Sequence, residues 1–202
     1  MNIVFRVDAS IAIGTGHVMR CRTLAAALKK HRANIQFITR AHPGHMGDML
    51  TGDGFAVTLL PRPARTENTG EDYATWLGVN QQEDANDTIT ALRNQQCDWL
   101  IVDHYGLDRV WETHVRPYTR KLMVIDDLAN RPHECDMLLD HNYALDDNER
   151  YRPWVPERCD LLLGPRHALL RPEYARCRET MIPRGGDIKR LFIFMGGVDN
   201  AN

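Results

Sequence analysis

The chain has 202 residues, 43% of them hydrophobic, and its 25 Lys+Arg against 27 Asp+Glu leave a formal net charge of −2 at pH 7. Charges that nearly cancel give neither the basic field of a nucleic-acid binder nor a polybasic membrane patch, so the expected partners are small molecules, with no nucleic acid and no membrane. No apolar run reaches the ~18 residues of a membrane span, the opening MNIVFRVD lacks the regions of a signal peptide, and five cysteines without a C-x-x-C pair fit reduced thiols; a cytoplasmic protein is expected.

Short β-branched runs alternating with longer amphipathic stretches predict βαβ units, that is, an α/β Rossmann-like parallel sheet with flanking helices. A strand over 2–8 leads through Gly14 and Gly16 into a helix over 17–30, on which Val18, Cys21, Leu24, Ala25 and Leu28 form one apolar stripe. A strand at 34–40, a helix at 43–52 with His42 and His45 at its approach, and a strand at 55–60 follow. Residues 61–72 are rich in Pro, Thr and charge and read as a surface loop. Beyond it come a helix at 81–95, a strand at 98–103, a helix at 107–118, strands at 121–126, 136–140 and 159–163, and a helix at 171–180. After the linker-like IPRGGDIK, RLFIFMGG reads as a fresh buried strand running into Gly196 and Gly197. This divides the chain into a first domain, 1–180, and a segment, 181–202, made of a linker and the first strand of a second.

In parallel α/β sheets ligands bind beyond the carboxyl ends of the strands, where Gly14 and Gly16 sit. The turn is not a dinucleotide fingerprint, because Met19 stands where a third glycine is needed and the second strand ends at Arg40 instead of an acidic residue. No nucleotide P-loop is present either, and no cofactor is expected. His17 falls on the first turn of a helix, whose partial positive charge disfavours the imidazolium and leaves a neutral ring able to take a proton, as a general base does. The alternative is a histidine that caps or packs. Arg20, one turn further on, either meets an anion or pairs with Asp8 at the end of the first strand.

Asp103-His104-Tyr105 closes the strand at 98–103 on the same edge of the sheet. There the Tyr105 hydroxyl either reaches a ligand, orders a water, or simply packs, while an aspartate in Asp103's place commonly caps backbone amides. Asp126 and Asp127 are adjacent at a strand end and point to opposite faces, which argues against a shared Mg²⁺. His133, Cys135, Asp136, Asp140 and His141 have no metal-ligand spacing, and no metal is expected.

Taken in order, FRVDAS…IGTGHVMRCRTLA, IVDHYGLD, VIDDLANRPHECDMLLD, LLGPRHALLRPEY and FIFMGGVD resemble the N-terminal part of the UDP-2,4-diacetamido-2,4,6-trideoxy-β-L-altropyranose hydrolases of pseudaminic acid biosynthesis. The resemblance covers essentially the whole chain and implies a two-domain, glycosyltransferase-B-like architecture similar to the MurG glycosyltransferase. UDP would be held mainly by the C-terminal domain, and the sugar would face the N-terminal one. It implies a monomer acting without metal or cofactor on a UDP-sugar, with water attacking the anomeric carbon with inversion, His17 as base and Tyr105 as the active-site tyrosine. Asp8, Gly14, Gly16, Arg20 and Asp103 then contact substrate, and the Gly196-Gly197 amides hold the diphosphate. Arg171 either reaches a phosphate across the cleft or forms a surface salt bridge. Two other classes remain open: a glycosyltransferase using a UDP-sugar donor, and a segment that binds without turnover.

Overall fold

Runs rich in Val, Ile, Leu and Phe form seven strands: β1 (Asn2–Val7), β2 (Asn34–Arg40), β3 (Ala56–Leu60), β4 (Cys97–Asp103), β5 (Thr119–Ile125), β6 (Met137–Asp140) and β7 (Asp160–Leu163). They belong to a computed structural model that describes residues 1–63, 73–144, 147–182, 185, 187 and 190–193. All pair in parallel, in the order β3-β2-β1-β4-β5-β6-β7, which is a Rossmann-like α/β sheet. Parallel neighbours require crossovers. These contain α1 (Gly16–Lys30), α2 (Gly47–Gly52), α3 (Gln81–Ala91), α4 (Arg109–Val115) and the short α5 (Asp147–Tyr151), and α6 (Pro172–Thr180) follows β7.

Side-chain alternation splits the core into two layers. Ile3, Phe5 and Val7 of β1 face α1 and α2, whereas Val4 faces α3 and α4. On the first face Phe5 stacks on Phe37 at 4.9 Å. Val18, Cys21 and Ala25 of α1 are fully buried there, and Leu24 and Leu28 pack half-buried beside them, as the apolar stripe predicts. Each buried aliphatic side chain of this kind contributes about 1.5–3 kcal/mol, so the stripe fixes how α1 lies on the sheet. On the second face Trp111 is fully buried. Arg6 also points there, into a position where the pattern calls for an apolar residue, and its charge is met by Asp8 and by Asp84 of α3.

Several predicted helices end early for local reasons. α2 begins only at Gly47 because the Pro43-Gly44 turn, with Gly44 at φ 82°, precedes it. α3 stops at Ala91, and Arg93 and Asn94 follow with φ of 55° and 54°, the left-handed conformation that ends helices. Pro117 lacks an amide hydrogen, so α4 passes into a 3₁₀ turn over Arg116–Tyr118. Residues 190–193, expected as the start of a buried strand, are irregular, and Leu191, Phe192 and Ile193 are exposed. Gly196 and Gly197 lie outside the described residues, as do 64–72 of the expected loop. No helix among the described residues is long and apolar enough to cross a membrane.

The position of the site follows from strand order. β1 and β4 are neighbours, yet the chain leaves β1 toward β2 and returns to β4 only after crossing the sheet. The loops after β1 and β4 therefore diverge and leave a crevice at their carboxyl ends.

Candidate active site

His17 stands in the first turn of α1, directly above the end of β1, and the β1–β4 register sets Val7 beside Asp103. These two facts bring the ring to the last residue of β4, and His17 Nδ1 lies 2.6 Å from Asp103 Oδ1. Arg20, on the same face of α1 one turn later, forks onto the same carboxylate with Nε to Oδ2 and Nη2 to Oδ1, both at 2.6 Å. Asp103 is fully buried. Burial alone would raise its carboxyl, but the His17 ring and the Arg20 guanidinium outweigh it and hold the group well below the usual carboxylate range.

An ionised carboxylate only accepts hydrogen bonds, so a 2.6 Å contact assigns the proton to Nδ1. The Arg20 Nη2 approach of 3.1 Å to Nδ1 then reflects two donors converging on one oxygen. In the neutral ring Nε2 is then the acceptor, and among the described residues no hydrogen bond engages it. The His17 side chain keeps 10% of its surface open.

Tyr105 meets the His17 ring edge-on at 4.6 Å between centroids, and its hydroxyl donates to Asp127 Oδ1 at 2.5 Å. Burial and the Asp127 charge both push the phenol upward, so Tyr105 is a neutral hydroxyl. Trp76, on a 3₁₀ turn over Tyr73–Leu77, lies 5.7 Å from the Tyr105 ring and 6.3 Å from His17, and Tyr73 closes the group 5.0 Å from Tyr105. The imidazole thus stands beside an aromatic wall.

The structure brings His17, Arg20, Asp103 and Tyr105 together, with Gly16 beside them at the start of α1, while Asp8 and Arg171 bond to other partners. The Asp103 side chain is fully buried against His17 and Arg20. Arg20 does not pair with Asp8; its guanidinium is taken by Asp103 and, at 3.4 Å, by Asp127. Asp8 is itself buried on Arg6, Thr39 and the Arg40 amide. Burial alone would raise the Asp8 carboxyl, but Arg6 keeps it well below its ordinary value.

Gly14 has φ 79° and its amide donates to Ser10 O at 2.8 Å, so it shapes the loop and has no amide to spare for an anion. Gly16 opens α1 in free space, in a first turn whose N-cap, Thr15, makes no side-chain cap. Arg171 lies against Tyr174 in an open groove beside Arg22, Lys29 and Asp53, and none of the residues bonded to His17 line that groove. The sequence reading missed Trp76, Tyr73 and the role of Asp127. The i, i+3 aromatics of YATWL were the available signal for the first two.

Among the described residues no three His, Cys, Asp or Glu side chains are grouped to hold a metal ion. Asp126 and Asp127 diverge as adjacent strand-end residues do: Asp126 takes Arg131 at 2.7 Å and Asp127 takes Tyr105. Volume alone does not locate the chemistry. A groove of about 460 Å³ at the amino-terminal edge of the strands, lined by Asn34, Gln95 and Cys97 among others, contains no histidine and no carboxylate.

No model of a known protein family matches the chain. It is similar to the UDP-2,4-diacetamido-2,4,6-trideoxy-β-L-altropyranose hydrolase of Campylobacter jejuni, at 28% identity over 203 residues that cover 100% of this chain and 62% of that protein. An uncharacterised protein of Methanocaldococcus jannaschii is 24% identical over 208 residues, covering 100% of this chain and 38% of that protein. The chain spans less than two thirds of the length of either relative.

Proposed function

We propose that this chain is the sugar-facing part of a UDP-sugar hydrolase and that His17 is its general base. The observation that carries the proposal is the His17–Asp103 pair at the switch point of the sheet, which commits Nδ1 and leaves Nε2 without a hydrogen-bond partner among the described residues. The similarity to a hydrolase acting on a UDP-linked diacetamido sugar supports the substrate class. In this reaction Nε2 takes a proton from a water molecule as its oxygen bonds to the anomeric carbon. The bond from that carbon to the phosphate oxygen breaks, and UDP leaves with the electron pair. Attack from the face opposite the leaving group inverts the anomeric centre. Asp103 keeps the ring in the required tautomer and stabilises the imidazolium that forms.

The diphosphate is a stable leaving group and needs little protonation. In the proposed enzyme it sits away from His17, because the guanidinium of Arg20 is already occupied by carboxylates. We assign residues 1–180 to the sugar-facing domain and residues 181–202 to the approach to a nucleotide-binding domain of glycosyltransferase-B type, with Arg171, Gly196 and Gly197 on the phosphate side. The supply of a free diacetamido sugar for pseudaminic acid synthesis is the corresponding role.

Hydrolysis of the UDP-diacetamido sugar in H₂¹⁸O tests this. The label is expected in the sugar at the anomeric oxygen, with inverted configuration and unlabelled UDP. Label in UDP, or turnover only when a sugar or lipid acceptor is added, would contradict it.

A further inference from the structure

Tyr105 ends the loop after β4 with its hydroxyl proton already committed. The donor bond to Asp127 Oδ1 is 2.5 Å, shorter than the usual hydroxyl–carboxylate distance range centre. Asp127 is in turn held in place, since its Oδ2 lies 3.4 Å from both Arg20 Nη1 and Asn142 Nδ2, and its backbone carbonyl accepts from Arg150. A phenol hydroxyl has one proton and two lone pairs. With the proton spent on Asp127, what remains is acceptor capacity, and the ring it sits on touches the His17 ring, whose free nitrogen is also an acceptor.

The surrounding charges agree. From α1 and β4 the site receives Arg20 and Asp103; from the loop after β5 it receives Asp127 and the paired Asp126 and Arg131, the latter 5.9 Å over the Tyr105 ring. Arg131 also donates from Nε to Leu107 O at 2.9 Å. Both guanidinium groups are thus engaged by carboxylates or carbonyls, and these three carboxylates outnumber the two guanidinium groups.

We infer that Asp127 is a positioning residue: by holding the Tyr105 proton it leaves Tyr105 Oη as an acceptor only, on a ring packed edge-on against His17, an arrangement that favours a neutral donor, water, and turns oxyanions away. The identity of that water as the nucleophile rests on the hydrolase proposal; the hydrogen-bond assignment does not.

The 202-residue chain labelled with ¹³Cζ-tyrosine tests the assignment without any turnover, Tyr105 being identified from Tyr105→Phe. An ordinary tyrosine, with a midpoint near pH 10, is about three-quarters ionised at about pH 10.5. The Tyr105 resonance is expected to stay at its protonated position there. Asp127→Asn, which removes the charge and retains an acceptor, is expected to bring its midpoint down by ~1 pH unit or more. A midpoint near pH 10 in the unmodified chain overturns the inference whatever the variant does, and so does an unchanged midpoint in folded Asp127→Asn. Inorganic phosphate in millimolar excess is expected to leave the Tyr105 resonance in place; a saturable shift of it also overturns the inference. Because both readouts are independent of catalysis, a negative result here leaves the isotope test of hydrolysis standing, and the reverse holds as well.

Discussion

Asp103 binds His17 Nδ1 at 2.6 Å and receives Arg20 through Nε and Nη2 at the same distance, so that one buried carboxylate orients both His17 and Arg20 of α1. Replacing it by Asn keeps the volume and removes the charge, and the amide can donate to Nδ1, which reverses the tautomer. Loss of such a carboxylate partner costs about 10⁴-fold in turnover in the serine-protease triad. For Asp103→Asn a drop of about 10³–10⁴-fold in UDP release is expected, with ¹⁵N shifts showing the proton moved from Nδ1 to Nε2. Unchanged turnover together with an unchanged tautomer would remove Asp103 from the mechanism.

His104 is buried, and burial lowers its ring to about 4 even though the Asp8 charge works in the opposite direction. Its Nδ1 accepts the Gly106 amide at 3.0 Å, so it is folded as the neutral ring. The unfolded chain binds a proton near pH 6.5 that the folded one refuses. The resulting stability is therefore complete above pH ~6.5 and is lost as pH falls toward about 4, by up to ~3 kcal/mol. Urea unfolding at pH 7 and at pH 5 is expected to show this decline, and His104→Asn, whose amide oxygen can still accept from Gly106, is expected to flatten it. An equally steep decline in the variant would assign the effect to another group.

Asp84 joins α3 to the sheet through charge. It takes Arg6 Nε and Nη2 at 3.0 and 2.6 Å, Arg40 Nη2 at 2.7 Å and Trp111 Nε1 at 3.0 Å, and Arg6 is 0% exposed. Asp84→Ala leaves those donors buried with fewer acceptors, a situation that costs about 3–5 kcal/mol. Equilibrium unfolding is the measurement; a loss below ~1 kcal/mol would show that Asp8 and Asp87 suffice for Arg6 and Arg40.

Gly14 and Gly16 flank the same turn and differ in what they require. At φ 79° an L-side chain at position 14 is strained even though no atom stands in its way, whereas position 16 is helical and open. Gly14→Ala is expected to cost ~1–2 kcal/mol, and Gly16→Ala to be neutral or to add up to ~1 kcal/mol. Equal thermal shifts for the two variants would contradict this reading of the loop.

The strands were legible because buried parallel strands are continuous apolar runs, as in DWLIVD and KLMVID, and α1 because its stripe repeats with the helix period. His17 was marked by its place after a glycine turn. Its partner's role was not legible, since Asp103 lies 86 residues away and only the adjacency of β1 and β4 brings the two together. Arg6 and Asp84, 78 residues apart, are a similar case: each alone reads as a surface charge, and burial becomes affordable only through the pair. Asp127 was weighed only as a metal ligand, because nothing local to Asp126-Asp127 points to Tyr105 22 residues earlier.

Replacing the His17 ring itself is the most direct measurement. If its Nε2 takes the proton from the attacking water, His17→Asn in a protein that includes the nucleotide-binding domain is expected to lower the rate of UDP release from the UDP-diacetamido sugar by about 10²–10⁴-fold while leaving UDP affinity intact. A variant that releases UDP as fast as the unmodified protein would show that some other group activates the water.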